Sequence, residues 1–516
     1  MNRIQSYYEQ LQFPIKLLFL SSFLIAIGSL FLNPYISTFI NIENTIIFTI
    51  AQILTYCGGI ILSYFPFYVF IKLLAHRKDE PNIVITGIIS YIIFIVVLTI
   101  LSPAKFEPSV YEKIGEIVLL GETTGIYKTG IFGLLGIYLI VTYVYQSTKD
   151  SKLFSMISYV DRDTVRFIYS IVGAGVLAFG FSFLWPIVIE YIYKILNFVS
   201  TDVNNPMTMF AYGGFDRLMT LFNLDSIVHS EMWFGSLGGT WVDLSGVTFN
   251  GDVTIWMAQL NENMNIIGTS DAGRFTSAYY VLNLFAIPAY LIGIYSTFSN
   301  KQYLTRNIFV LLLAILISMV SGVLLPIELL MIVTSPILYV FHLFMTSLIF
   351  AVLSGLSVYL GFSYTGNLLA ANPGNLIDLI FLFRRIALVD KIMIMLLVGA
   401  FVFIAYFAMT RLYYGKLALD ILNIGNKEEK INDFIERLGG IENVSYISST
   451  PTRIHVQLEN REKLNVAGMH QQGVTRIIET KQGFVLSIGS SSYIYQKEVN
   501  KKLKTIVKEE QVEVAV

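Results

Sequence analysis

The chain has 516 residues, of which 55% are hydrophobic and only 14% charged, with a mean hydropathy of +0.64. Soluble domains carry about 25% charged residues, so this composition excludes an ordinary soluble protein and indicates an integral membrane protein. A net charge of −1 gives no basic surface for nucleic acid, and a single cysteine, Cys57, excludes a disulfide framework or a cysteine-based metal centre.

At the start, Tyr7, Tyr8, Glu9 and Lys16 lead directly into Leu17 without a small-residue cleavage site, so no cleaved signal peptide is expected. A helix needs about 20 apolar residues to cross a bilayer. Runs of that kind are Leu17–Ile40 (interrupted at Asn33-Pro34), Ile46–Ile71, Ile83–Leu101, Thr129–Thr148 and Phe167–Ile189. Further runs are Phe275–Asn300, Asn307–Ile327, Leu329–Ile377 and Ile392–Thr410. Leu329–Ile377 is long enough for two passes broken near Gly361 and Gly366, which makes about ten crossings. Lys72, Arg77 and Lys78 flank one loop, and Lys149, Lys152, Arg162 and Arg166 flank another two crossings later. The bias of basic residues toward the cytoplasm places both loops and the N-terminus there. Ten crossings return the tail to the same side, in accord with Arg411, Lys416 and Lys427.

Residues 205–275 break the pattern. They hold Trp233, Trp241 and Trp256 among Asp216, Arg217, Asn223, Asp225, His229, Glu231 and Asp243, with a glycine-rich GSLGGTW at 235–241. Irregular polar backbone survives at membrane depth only where protein or water satisfies it, so this region reads as re-entrant or cavity-lining. After residue 426 the composition turns soluble. KEEKINDFIERL (427–438) has helical periodicity and ends at Gly439-Gly440. Strands are predicted around 443–448, 452–458, 474–479 and 484–488, a helix-like NREKLNVAGMHQ between them, and a closing helix near 493–505. The predicted fold is a polytopic α-helical membrane protein with re-entrant segments and a small C-terminal cytoplasmic α/β domain. Residues 1–410 form the membrane domain, 411–426 a linker and 427–516 the tail.

Glu328 is the only charged side chain between Arg306 and Asp378. An ionisable group at such depth marks a substrate or ion path by default; the plain alternative is a carboxylate near an interface, or one bonded to backbone freed by Pro326. The tryptophan-rich segment suits a sugar, with aromatic faces against pyranose C–H groups and Asp, Asn and His on its hydroxyls. An aromatic belt at the headgroup level would demand the same residues. His342, in PILYVFHLFM, reads as a packed or interhelical histidine rather than a ligand. There is no glycine-rich phosphate loop, metal-spaced cluster or Ser/His/Asp arrangement, so neither metal nor cofactor is expected.

This layout resembles the glucose-type enzyme II permeases of the bacterial phosphoenolpyruvate-dependent phosphotransferase system (the glucose, N-acetylglucosamine and maltose superfamily), which fuse a membrane IIC unit to a IIB unit. The likeness spans about 13–410 for IIC and 427–500 for IIB. It rests on GGFDRL (213–218), WFGSLGGTW, GDVTIWMAQL, AIPAYLIGIY (286–295), SGVLLPIELLMIVTSPILYVFH (321–342) and LGFSYTGNL (360–368), with IERLGGIENV (435–444) and TRIHV (452–456) in the tail. In such permeases a sugar in the IIC cavity takes a phosphoryl group from a IIB cysteine two residues before a Thr-Arg pair. Here that place is Thr450, with Thr452 and Arg453 retained. A threonine needs an activating base, and its phosphate ester is a poor donor, so Thr450 does not simply replace a thiolate. Arg453 remains an anion contact or an ordinary exposed arginine. The family's paired histidines fall on Asp225 and Ser226, with His229 three residues on, and its first motif glutamate falls on Leu325 while Gly322, Pro326 and Glu328 remain.

The resemblance implies a multi-pass protein of the bacterial cell membrane, both termini cytoplasmic, carrying a hexose or small oligosaccharide by an elevator-like movement. Asp225, His229 and Glu328 would hold sugar hydroxyls, with Trp233 or Trp241 stacking. Phosphate would come from separate IIA and IIB proteins, and a homodimer surrounded by lipid is implied. Whether the chain is itself an enzyme is left open by Thr450. Two alternatives stand beside transport: a non-transporting paralogue that senses sugar or phosphotransferase status or docks a partner, and an unrelated transporter or receptor on this fold.

Overall fold

The computed structural model describes residues 2–33, 36, 45–76, 80–101, 111–119, 122–148, 161–261, 271–297, 301–363, 372–417 and 427–513. The membrane domain opens with helices α1 (Asn2–Leu32), α2 (Thr45–Ser63), α3 (Phe65–Ala75) and α4 (Ile83–Leu101). A β1–β2 hairpin (Tyr111–Leu119, Glu122–Tyr127) leads to α5 (Gly130–Ser147) and the 40-residue α6 (Arg162–Thr201). Then come α7 (Pro206–Leu221), α8 (Asp225–His229), the short hairpin β3–β4 (Thr240–Val242, Thr248–Asn250) and α9 (Asp252–Asn261). Continuous helix α10 (Ser277–Tyr295) is followed by α11 (Lys301–Ser321), α12 (Leu325–Thr334), α13 (Pro336–Gly355), α14 (Leu376–Leu382) and α15 (Ile386–Leu412).

Among the described residues eight helices are long and apolar enough to cross a membrane, where sequence alone suggests ten. The difference lies in two runs. Asn307–Ile327 runs along α11 (Lys301–Ser321), whose described apolar part is Leu311–Ser321, and leaves the helix at 322–324, where Gly322 takes a positive φ of 68° and α12 begins at Leu325. Leu329–Ile377 yields one crossing helix, α13, and then non-helical backbone over 358–363. The Gly366 break and linker residues 418–426 lie outside the described residues, as do Arg77, Lys78, Lys149 and Lys152. Along α6, Val172, Val176, Phe179, Phe183 and Ile187 are all exposed at helical spacing. That spacing leaves an apolar stripe exposed along one face of the helix.

The chain divides into two compact units. One contains Lys16–Tyr280 and Leu343–Met395, the other Met1–Ile15, Val281–His342 and Leu396–Val516. In the first unit α1 and α2 approach closely on small residues. Ser21 Oγ donates to the Gly58 carbonyl at 2.7 Å, and a Cβ on Gly28 would lie 2.1 Å from Thr55 Oγ1. Arg166, 2% exposed in its side chain, is held by Glu80 at 2.7 Å and Asp163 at 3.3 Å, with its guanidinium 4.7 Å from the Tyr145 ring centre. Asp161 caps α6 by accepting the Thr164 amide.

The non-helical segment 358–363 packs against two other segments of the same unit. Gly361 lies under the Trp256 indole, where a Cβ would come within 2.3 Å of the ring, and its carbonyl accepts the Tyr280 hydroxyl at 2.7 Å. Gly273, at φ 94°, faces the same backbone. Gly361→Val is therefore expected to destabilise the protein by about 1–3 kcal/mol through overpacking. A fluorescence melt of the detergent-purified protein should show a lowered midpoint, whereas Gly175→Val, at a site with open space, should not.

The second unit includes the tail. There α16 (Lys427–Arg437), β5 (Val444–Ser449), β6 (Arg453–Leu458), α17 (Val466–Gln471), β7 (Arg476–Thr480), β8 (Gly483–Ser487) and α18 (Ser492–Glu513) follow in order. The sheet is fully antiparallel in the order β5-β6-β8-β7, with Ile447 opposite Val456 and Ile454 opposite Leu486. Ile454, Val456 and Leu458 alternate inward along β6, and Phe434 of α16 meets Tyr495 of α18 with ring centres 4.7 Å apart.

Candidate functional site

Helix α7 starts at an Asn205 cap, whose side chain accepts the Met207 amide, with Pro206 in the first turn. It stops where Asn223 adopts a left-handed φ of 57° and Leu224 N–H returns to the Met219 carbonyl at 2.8 Å. That reversal sets α8 beside α7 and brings His229 onto Asp216.

Asp216 is fully buried, and both its oxygens are occupied. Oδ1 pairs with His229 Nε2 at 2.8 Å; Oδ2 accepts from Arg217 Nη2 at 2.8 Å and from the Tyr279 hydroxyl at 2.6 Å. Arg217, also buried, lies 4.7 Å from the Tyr279 ring centre. His229 stacks on Trp233 with centroids 3.7 Å apart and planes 8° from parallel. Its Nδ1 is 4.0 Å from Asp225 Oδ2, and Asp225 is 32% exposed. Beneath this layer the Tyr212 hydroxyl and the Trp233 indole N–H face each other short of hydrogen-bond geometry. The accessible polar edge is therefore Asp225 with the Nδ1 side of His229, supported from below by a saturated carboxylate.

The structure thus brings three of the residues singled out by sequence, Asp225, His229 and Trp233, into one layer. Trp233 is buried, with His229 covering one of its faces, so in this conformation that face is not open to a pyranose. Trp241 sits on β3 and packs on Phe249 at 5.8 Å, within a hairpin whose tip residue Leu244 is 92% exposed. Asp216, Arg217 and Tyr279 supply the cluster's framework. The signal of Asp216 and Arg217 in the sequence is an adjacent Asp-Arg pair within α7, visible but unassigned.

Glu328 belongs to the other unit. It lies in the first turn of α12, a helix bracketed by the 322–324 break and by Ser335. Glu328 Oε1 meets His342 Nε2 at 3.0 Å, and His342 Nδ1 meets the Tyr406 hydroxyl at 2.8 Å. All three side chains are buried. With the phenol donating to Nδ1, Nε2–H donates to the carboxylate, so one tautomer satisfies the line. His342, expected as a packed histidine, is packed and is also the link between an acid and a phenol. Interrupted helices with buried polar groups are where membrane transporters place their sites.

In the tail, Thr450 occupies the turn between β5 and β6. Its amide donates to the Arg453 carbonyl at 2.8 Å, and its Oγ1 accepts the Arg453 amide at 3.2 Å. The Ile488 and Gly489 amides close on the Thr452 carbonyl at 3.1 and 3.0 Å.

No family model matches the chain. It is 24% identical over 542 aligned positions to the "PTS system glucose-specific EIICBA component" of Staphylococcus saprophyticus subsp. saprophyticus, an alignment covering 99% of this chain and 75% of that protein. The chain is a homologue of the glucose-type IIC-IIB permeases.

Proposed function

We propose that the chain is a sugar permease of the bacterial cell membrane that relies on a separate phosphotransfer protein. The carrying observation is similarity to a phosphotransferase-system component along 99% of the chain, which among its described residues has eight helices long and apolar enough to cross a membrane and a small antiparallel α/β tail. Asp225 and His229 offer the hydroxyl contacts in one unit, and Glu328 is the polar group required for transport in the other. Both termini face the cytoplasm, as the basic loops suggest.

The tail does not relay phosphate in this reading. Thr450 Oγ1 is engaged by the Arg453 amide, and no thiolate stands at the turn to take up and release a phosphoryl group. Membrane vesicles should accumulate a radiolabelled sugar, with neutral and acidic hexoses both offered, only when phosphoenolpyruvate, the general phosphotransfer proteins and an intact IIB protein are supplied together. Absence of sugar uptake with every combination would sink the permease reading. Wild-type tail should stay unlabelled by the phosphorylated donor, and Thr450→Cys should become labelled. Labelling of the wild-type chain would overturn the relay assignment alone.

A further inference from the structure

Lys128 precedes α5, at a point where the backbone is fixed from two sides. Its carbonyl accepts the Trp185 indole N–H at 2.8 Å. Gly130, at φ 54°, comes so close to the Phe222 carbonyl that a Cβ would lie 2.2 Å from it, and the Ile131 amide donates to the same oxygen. This anchoring drives the lysine side chain inward rather than outward: Lys128 is 9% exposed, and its ammonium donates to Ser226 Oγ. Among the described residues no carboxylate lies within ion-pair distance of it. A lysine side chain this enclosed, whose part-buried ammonium meets only a neutral hydroxyl, holds its charge without a counter-charge beside it, and such charges are costly unless something pairs them.

Ser226 and His229 are three residues apart on α8 and share a face, and Asp225 begins the same turn. Ser226 and Asp225 are both partly exposed. A molecule resting on Asp225 and His229 therefore borders the residue that holds the ammonium. We infer that Lys128 recognises a carboxylate carried by the sugar, making this permease selective for an acidic hexose. The inference rests on the permease reading. A single ammonium with one hydroxyl matches a monoanion; a phosphate, with a second charge, calls for more cationic partners than the described residues place there.

The test is calorimetric titration of the full chain in nanodiscs with glucose, glucuronate and glucose 6-phosphate, paired with vesicle uptake. Glucuronate should bind at least about tenfold tighter than glucose. Lys128→Met should bring that ratio to about one and Lys128→Arg should keep most of it, with melting midpoints confirming that each variant folds. The wild-type ratio decides the matter even if a variant does not fold. Equal binding of glucose and glucuronate, no binding of any probe, or an unchanged ratio in folded Lys128→Met overturns the inference. Tighter binding of glucose 6-phosphate than of glucuronate overturns the carboxylate assignment. Preferential glucuronate binding without uptake of any sugar sustains the site and sinks the permease reading instead.

Discussion

Asp216→Ala is expected to cost the protein about 3–5 kcal/mol, the price of leaving a buried charge without its counter-charge. Arg217 is 3% exposed and is held by the Asp216 carboxylate through two nitrogens, Nη2 at 2.8 Å and Nε at 3.2 Å. Removing the carboxylate also strips a partner from His229 and from the Tyr279 hydroxyl. Against a typical total of about 5–15 kcal/mol, the loss should appear as a sharp fall in monodisperse protein on size-exclusion chromatography and a lowered melting midpoint. Asp216→Asn keeps an acceptor for Tyr279 while deleting the charge, so it should fall between wild type and alanine. The double variant Asp216→Leu with Arg217→Met should be milder than Asp216→Ala alone, since both buried charges then disappear together. A double variant as damaged as the single one would mean that the cluster matters by shape and not by charge.

The tail was legible because its physics is local. Period-two alternation in RIHVQL survives as the buried Ile454, Val456 and Leu458, and every predicted strand lies within two residues of its observed bounds. The membrane crossings follow from run length until backbone breaks intervene, and runs of apolar residues do not reveal whether Gly322 or 358–363 leaves the helix. Glu328 stood out by isolation, but its line to Tyr406 was invisible: a tyrosine 64 residues beyond His342 in an apolar run looks like any packing ring. His229 and Trp233 carried a readable signal, since residues four apart on consecutive turns share a face, and the stacked pair follows from that spacing. Lys128 carries no signal in the sequence that sets it apart. Its burial depends on Trp185 and Phe222, both distant in sequence, which no local pattern encodes.

Glu328→Gln should abolish most sugar uptake at unchanged expression. The amide can still accept a hydrogen bond from His342, so the packing is preserved and only the charge is removed. A hydrogen bond to a charged group contributes about 1.5–3 kcal/mol, which corresponds to about a ten- to hundredfold loss in transport. The effect should weaken along the line from the acid: His342→Gln, which touches Glu328 directly, should cost less than Glu328→Gln, and Tyr406→Phe, one bond further away, should cost least. A neutral hydrogen bond is worth about 1 kcal/mol, so the last variant should lose only severalfold. Uptake and melting midpoint measured on the same preparations separate the two roles of the acid. If it serves transport, uptake should fall while the midpoint holds; equal losses of uptake in all three variants, tracking the midpoint, would make Glu328, His342 and Tyr406 a structural brace between α12, α13 and α15.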